Sequence, residues 1–313
     1  MPRATKRDQT IPLGIVGGGL VWDARYRAAV SALTRGKVTA VFSPQVPEGE
    51  TLAHESGGKL FCSLRTMLDE AGVRAILILE TGWSREWAIS LAIARQIPVY
   101  VAVPIDEHLP RIAPGLVNQE AEGAVVVPGV LLRATPAALR LRELIATKLG
   151  AVQELAVELP ASEPTDSLVI SAIDWCRSLL GSTVSQITRE PTPDGQLLVM
   201  SCGRRTPLSP PVRTEIRMPA TAATSAAPPV GQLIARVRCQ KGHAELIGES
   251  HLHWQTDTES ADESLESDRP AEQVLLDLFL RRVVGGVVPI PSWAELQEAS
   301  RLWGSVKEVT SDK

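Results

Sequence analysis

The chain has 313 residues, enough for two domains of ordinary size. Its hydrophobic content of 44% allows a normal buried core, and its charged content of 22% is typical of globular proteins. The net charge of −4 argues against a nucleic-acid-binding protein, because such a protein needs a net basic face.

The first part of the chain alternates short apolar runs with amphipathic segments. The apolar runs predict buried strands at residues 11–16, 38–42, 75–79, 99–103 and 124–127, and the other segments predict helices at 23–33, 64–71 and 87–94. Strands of this all-apolar kind, separated by helices, are typical of a parallel sheet covered on both faces. We therefore predict a Rossmann-type doubly wound domain over residues 10–135.

The pattern changes after a predicted helix at residues 136–148, because the strands that follow alternate polar and apolar residues. These strands are predicted at residues 153–159, 185–189, 196–201, 232–239 and 244–247, with helices at 168–180, 275–284 and 293–306. Alternation indicates a sheet with one buried and one exposed face, so residues 136–313 are predicted to form an α/β domain with an open, mostly antiparallel sheet. We expect an irregular connection at residues 206–230 and a solvated acidic loop at 257–268.

A glycine-rich loop separates the first predicted strand from the first helix. Gly17 and Gly19 supply the first two positions of a G-x-G-x-x-G pattern, in which one glycine permits a tight turn and the next lets a pyrophosphate approach the backbone. The third position is Trp22, whose ring must point away from the strand or crowd the phosphate site. The loop predicts a dinucleotide site, and a glycine-rich turn that binds nothing is the alternative.

The end of the second predicted strand lacks the acidic residue that normally binds the ribose hydroxyls. Phe42, Ser43 and Pro44 stand there, and the first carboxylate is Glu48. NADP would tolerate a small residue but would need an adjacent arginine, and none is present, so NAD and NADP both stay open. The residues expected to bind the cofactor are Gly17, Gly18, Gly19, Leu20, Ser43 and Pro104.

The order of these segments resembles the Gfo/Idh/MocA family, named for glucose–fructose oxidoreductase and inositol dehydrogenase. The resemblance covers most of the chain and is carried by residues 15–19, 64–68, 133–150, 173–181, 241–246 and 289–292. It implies a Rossmann domain followed by an α/β domain whose open sheet commonly mediates oligomers. It also implies hydride transfer between NAD(P) and the hydroxyl or carbonyl group of a sugar or cyclitol.

The chain departs from the family at its proton-transfer residues. The family has a lysine in a Glu-Lys-Pro motif, and an aspartate and a histidine four residues apart on a helix of the second domain. Here the lysine position is Val103, before Pro104, and the other two positions are Ser167 and Ser171. Valine cannot transfer a proton, and serine does so poorly without an activating partner. We therefore expect an NAD(P)-binding oxidoreductase-like protein without the standard hydride-transfer catalysis.

Other residues are candidates for a relocated acid or base. Glu80 and Arg85 lie where the family has its substrate loop, although a surface salt bridge or a helix-start charge explains them better. Asp106 and His108 follow Pro104, where a solvated helix start is the better interpretation. Two alternatives stay open: an active NAD(P)-dependent sugar or polyol oxidoreductase that uses such residues, and an interaction or scaffolding protein without a cofactor.

The remaining patterns concern metals, membranes and partners. His251 and His253 lie on one face of a strand without an obvious third ligand, so no metal site is expected. Trp83 and Trp87 are expected to be packing or interface residues. The four cysteines lack CxxC spacing, and no apolar run reaches the ~18 residues of a membrane span, which favours a cytoplasmic protein. Expected partners are a dinucleotide, a sugar-like small molecule and, through the second sheet, copies of the same chain.

Overall fold

The computed structural model describes residues 10–102, 116, 118, 120, 123–160, 165–203, 211–219 and 232–307. Residues 10–129, as far as they are described, form one compact unit together with residues 272–294. The other described residues from 130 onward form a second unit. The domain boundary that we place at residue 135 stays a prediction.

The first unit contains the predicted parallel sheet, which has six strands in the order β3-β2-β1-β4-β5-β6. Neighbouring strands are all parallel. Because the chain runs outward from β1 in one direction and then restarts at β4 in the other, the sheet is doubly wound with its switch point between β1 and β4. The strands are β1 (Ile11–Val16), β2 (Gly36–Phe42), β3 (Lys59–Leu60), β4 (Ala75–Ile78), β5 (Val99–Val101) and β6 (Val126–Pro128).

The helices follow the predicted order, with one addition. The first, α1, is a continuous segment made of Gly19–Val21, the π-helical turn Trp22–Tyr26 and Arg27–Ser31. The others are α2 (Val46–Ser56), α3 (Leu64–Glu70), α4 (Gly82–Ile93), α5 (Pro136–Leu144), α6 (Asp166–Leu180), α7 (Ala271–Val283) and α8 (Trp293–Lys307). The helix α2 was not predicted, because it buries only Gly49 and Leu52 and so lacks an apolar period. None of the described helices is long and apolar enough to cross a membrane.

The second unit contains an eight-stranded sheet in the order β14-β13-β12-β11-β7-β10-β9-β8, and only the pairing of β7 with β10 is parallel. This confirms the predicted open, mostly antiparallel sheet. Its strands are β7 (Val152–Glu158), β8 (Val184–Thr192), β9 (Gly195–Cys202), β10 (Val212–Pro219), β11 (Ile234–Cys239), β12 (Gly242–Ile247), β13 (His251–Thr256) and β14 (Ser260–Ser264).

Two expectations about connections in this unit are wrong. The strand β10 lies within residues 206–230, because Val212, Thr214, Ile216 and Met218 alternate with polar residues inside a segment whose overall composition suggested an irregular loop. The strand β14 lies within the acidic run 257–268. It is at the sheet edge, where exposed side chains need no apolar alternation.

A buried ion pair joins the start of the second unit to α6. The Arg133 guanidinium binds both carboxylate oxygens of Asp174, with Nε 2.6 Å from Oδ2. The Asp174 side chain is only 1% exposed and that of Arg133 is 11% exposed. Arg133 Nη1 also lies 2.9 Å from Oε2 of Glu295, whose side chain is 46% exposed. The buried carboxylate is therefore the main counter-charge of this arginine.

We predict that Asp174→Ala destabilises the protein by about 3–5 kcal/mol, because it leaves a buried guanidinium without its main partner. Glu295→Gln is the matched control, and it should cost only about 0–1 kcal/mol because this carboxylate is largely solvated. Urea unfolding of the two variants measures the difference. Equal losses would contradict the assignment of Asp174 as the main counter-charge.

Candidate functional site

The glycine loop, residues 17–19, lies at the carboxyl end of β1. The Gly17 amide donates to the carbonyl of Phe42 at the end of β2, at 2.8 Å, and the Leu79 amide donates to the carbonyl of Val16, also at 2.8 Å. These two hydrogen bonds tie the end of β1 and the bend after it to the ends of β2 and β4, the strands on either side of β1. In doubly wound sheets, ligands bind outside the carboxyl ends of the strands at the switch point. The predicted order of strand, tight bend and helix over residues 11–33 is confirmed, with the helix beginning at Gly19 and ending at Ser31.

Two glycines of the loop have left-handed backbones, with φ of +83° at Gly17 and +61° at Gly19. A Cβ atom on Gly17 would lie 2.5 Å from Cγ of Glu80, so this position also lacks space for a side chain. Gly18 has an extended φ of −167°. Leu20, next in the chain, is 86% exposed at the start of α1. The loop therefore brings its backbone to the start of a helix, where N–H groups have no helical partners.

Trp22 occupies the third motif position, where a glycine would allow close packing between the helix and the strand. Its indole Nε1 donates to Oε2 of Glu55 at 2.8 Å, and the side chain is almost completely buried. Glu55 also pairs with Arg27, with Nη2 2.7 Å from Oε1. Glu55 is in the last turn of α2, seven residues after Glu48 and thus about 10 Å from it along the helix. The indole nitrogen is held at that far end of α2, so it points away from the loop.

Glu80 follows β4 and packs against the glycine loop. Its Oε2 accepts a hydrogen bond from the Ser84 hydroxyl at 3.3 Å. Partial burial raises the pKa of Glu80 above its usual value, the Ser84 hydrogen bond partly opposes this shift, and the nearby charge of Glu48 adds to it. The loop thus has beside it a carboxyl group that binds its proton more tightly than an exposed glutamate.

Arg85 lies one residue after Ser84 in α4, and its side chain is 0% exposed. The surface salt bridge expected for Glu80 and Arg85 is therefore wrong. The reason is the position of Arg85 on the inner face of α4, which the short sequence pattern around it did not reveal. The Ser84 hydroxyl donates a hydrogen bond to Glu80.

The end of β2 differs from the usual dinucleotide site in the way the sequence predicted. Ser43 is buried, and its Oγ accepts a hydrogen bond from the Gln45 amide at 3.1 Å. A carboxylate nevertheless reaches the loop from the first turn of α2. The Glu48 oxygens lie 3.5 and 3.6 Å from the position that a Cβ atom on Gly19 would occupy. This approach was not predicted from the sequence, because α2 lacks the apolar period of a recognisable helix.

Exposed apolar side chains surround the same edge of the sheet. Trp83 is 75% exposed and Trp87 is 39% exposed, with their ring centroids 6.4 Å apart. Trp87 also meets Phe42 edge to face at 6.3 Å. Leu20 and Val46, at the starts of α1 and α2, are 86% and 60% exposed. Trp83 is therefore not packed in the core of this chain, and the interface role that the sequence also predicted stays a prediction. Grouped apolar exposure is typical of a binding surface.

The second unit places the two substituted positions on one helix. Ser167 and Ser171 lie in the first two turns of α6, both partly exposed. The neighbouring Asp166 accepts hydrogen bonds from the Trp303 indole at 3.0 Å and from Lys307 Nζ at 2.6 Å. Asp166 therefore holds α8 in place. The two serines thus lie on α6. Asp166, the carboxylate beside them in the chain, is already engaged by hydrogen bonds from α8.

Four positions named by the sequence analysis lie outside the described residues: Val103, Pro104, Asp106 and His108. His251 and His253 lie on β13, and His251 Nε2 is 3.8 Å from Oε1 of Glu266. Among the described residues, no three side chains of the metal-binding types come together.

We predict that Gly17→Ala destabilises the protein more than Gly57→Ala does. Both glycines have left-handed backbones, for which alanine costs about 1–2 kcal/mol. A Cβ atom on Gly57 meets nothing within 4 Å, whereas one on Gly17 overlaps Glu80. Overpacking should add about 1–3 kcal/mol at Gly17. Urea unfolding measures both losses, and an equal loss for the two variants would show that Glu80 does not pack against the loop.

No protein-family model matches the sequence, and no curated protein matches it. Solved structures do. A UDP-N-acetylglucosamine 3-dehydrogenase from Acidithiobacillus ferrooxidans matches with a TM-score of 0.75 at 16% identity, over 96% of this chain and 97% of that chain. An oxidoreductase from Agrobacterium radiobacter, solved with NAD+, L-tartaric acid and magnesium, matches with a TM-score of 0.78 at 12% identity, over 96% of both chains. A biliverdin reductase from Synechocystis, solved with biliverdin and NADP+, matches with a TM-score of 0.67 at 12% identity, over 95% and 98%.

These similarities cover nearly the whole chain, at identities that establish the fold alone. The sequence resemblance is thereby confirmed at the level of structure. The chain has the two-domain fold of Gfo/Idh/MocA-type oxidoreductases.

Proposed function

We propose that this chain binds a nicotinamide dinucleotide at its glycine loop but lacks the standard proton-transfer catalysis of the oxidoreductases whose fold it has. The observation that carries the proposal is the bend after β1, with left-handed Gly17 and Gly19 at the switch point of a doubly wound sheet. The N–H groups at the start of α1 and the positive end of its dipole suit a pyrophosphate. When bound, the dinucleotide supplies a hydride donor or acceptor.

The exposed aromatic side chains support this proposal. An adenine ring is flat and apolar on both faces, and Trp83 and Trp87 offer indole faces at the carboxyl edge of the sheet. Ligand sites are typically apolar surfaces with a few well-placed polar groups. The glycine loop, the aromatic pair and the two carboxyl groups of Glu48 and Glu80 form such a combination.

The loss of standard catalysis is inferred from the side chains that the family uses. Alcohol oxidation needs a base for the hydroxyl proton, and carbonyl reduction needs an acid. Val103 cannot serve as either, and Ser167 and Ser171 have no activating base identified beside them. Removing one such group typically lowers the rate by ~10²–10⁴, so replacing all three should nearly abolish turnover. A sugar-like ligand, association through the second sheet and a cytoplasmic location are predictions from the family resemblance.

Heat unfolding in the presence of NAD+ or NADP+ tests the proposal. A dinucleotide at ~100 times its dissociation constant should stabilise the protein by about 2.7 kcal/mol. Gly57→Ala should keep this stabilisation, and Gly17→Ala should lose it. No stabilisation of the wild-type protein by either dinucleotide would favour an interaction protein without a cofactor. Steady dinucleotide-dependent turnover of any sugar or polyol would contradict the loss of catalysis.

A second candidate function, an active oxidoreductase with a relocated acid or base, is favoured by Glu80 alone. This carboxyl group lies at the glycine loop, and burial raises its pKa toward the range useful for proton transfer. If a substrate is turned over, Glu80→Gln should abolish turnover without abolishing dinucleotide binding. Retained turnover in Glu80→Gln would exclude Glu80 as the acid or base.

The raised pKa of Glu80 predicts a pH-dependent effect on stability. The folded protein binds this proton more tightly than the unfolded chain, so Glu80 stabilises the fold at low pH and this contribution is lost as the pH rises through the folded-state pKa. Glu80→Gln should therefore raise Tm relative to wild type at pH 8, and the difference should shrink toward pH 4. Glu50→Gln, on the exposed side of α2, is the control and should show no such trend. A difference in Tm that does not vary with pH would contradict the shift.

A further inference from the structure

The connection from β2 to α2 has no positive charge. Residues 38–58 contain neither lysine nor arginine. Ser43, at the place of the usual acidic residue, is buried and engaged with the Gln45 amide. This segment therefore has no lysine or arginine for a 2′-phosphate, and Ser43, which replaces the usual acid, is uncharged and largely buried.

Glu48 follows Ser43 in the chain and lies in the first turn of α2, from which its side chain approaches the glycine loop. Both of its carboxylate oxygens face Gly19, at 3.5 and 3.6 Å from the position of a Cβ atom there. The side chain is partly exposed. In the portion of the chain that the structure describes, no lysine, arginine or histidine pairs with it. The carboxylate is therefore held beside the second glycine of the motif with its oxygens open to a ligand.

We propose that Glu48 accepts hydrogen bonds from the 2′- and 3′-hydroxyl groups of the adenosine ribose and makes the chain selective for NAD over NADP. The inference rests on the proposed dinucleotide binding. A carboxylate has two oxygens that can accept from neighbouring hydroxyl donors, and hydrogen bonds to an ionised acceptor are the strong ones. In NADP the 2′-hydroxyl donor is replaced by a phosphate, whose negative charge the carboxylate repels.

The fold itself does not decide between the two cofactors. The Agrobacterium radiobacter oxidoreductase was solved with NAD+ and the Synechocystis biliverdin reductase with NADP+, and both match this chain over nearly its whole length. The choice must therefore come from local side chains. In this chain the side chain beside Gly19 is an acid supplied by α2 instead of the end of β2.

Calorimetric titration of the purified chain with NAD+ and with NADP+ tests the proposal. Wild type should bind NAD+ at least about tenfold more tightly, a difference of about 1.4 kcal/mol. Glu48→Gln should lose most of this preference through weaker binding of NAD+. Glu48→Arg should bind NADP+ more tightly than wild type does, because it offers the 2′-phosphate a cation. Glu50→Gln, on the same helix but exposed, is the matched control and should behave like wild type.

The outcomes separate this inference from the proposed function. Binding of neither dinucleotide to wild type would refute the proposed function and the inference with it. Binding of both with equal affinity, or a preference for NADP+, would overturn the role of Glu48 and leave dinucleotide binding intact. A preference unchanged in folded Glu48→Gln would do the same. The wild-type comparison needs no variant, so it decides the matter even if substitutions at Glu48 impair folding.

Discussion

The bend after β1 holds together the described residues of the candidate site in the first unit. It is held by the hydrogen bond from the Gly17 amide to the carbonyl of Phe42 and by the contact of Gly17 with Glu80. Because Gly17 has no side chain, the Glu80 side chain can pack against the loop. A larger residue at this position would overlap Glu80 and displace it from the loop. The site is thus a consequence of one backbone conformation that only glycine adopts without strain.

Much of the fold follows from patterns that a short stretch of sequence contains. All-apolar strands such as Ala75–Ile78 are buried on both faces, so their identity is visible without knowledge of their neighbours. The helix α2 and the strand β10 were missed because their partners supply most of their stability. A helix that buries two residues, and a strand inside a segment rich in proline and alanine, form because β2 and β9 lie beside them. Such elements depend on tertiary contacts that a local pattern does not contain.

The residues of the candidate site also divide into those that a local sequence pattern predicts and those that depend on tertiary contacts. Gly17 and Gly19 were predictable, since their function is to permit a backbone conformation, and the sequence records that directly. Glu48 was not predictable as a neighbour of the loop, because its proximity depends on the start of α2. An acidic residue shortly after the end of a strand was the available signal for Glu48. The usual position for this acid, residue 43, is occupied by a buried serine.

Binding and proton transfer place different demands on this fold. Binding of a pyrophosphate uses backbone N–H groups and a helix dipole, which most substitutions elsewhere leave intact. Proton transfer needs particular side chains at particular atoms, so a single substitution removes it. The carboxyl groups of Glu48 and Glu80 beside the loop weaken the binding of an anionic ligand when they are ionised, because like charges repel. Burial raises the pKa of Glu80 and so favours its neutral form. Glu48 can offset the repulsion through hydrogen bonds that it accepts from the ligand. If the loop binds a dinucleotide as proposed, the free ribose diol beside the phosphates would supply such hydroxyl donors.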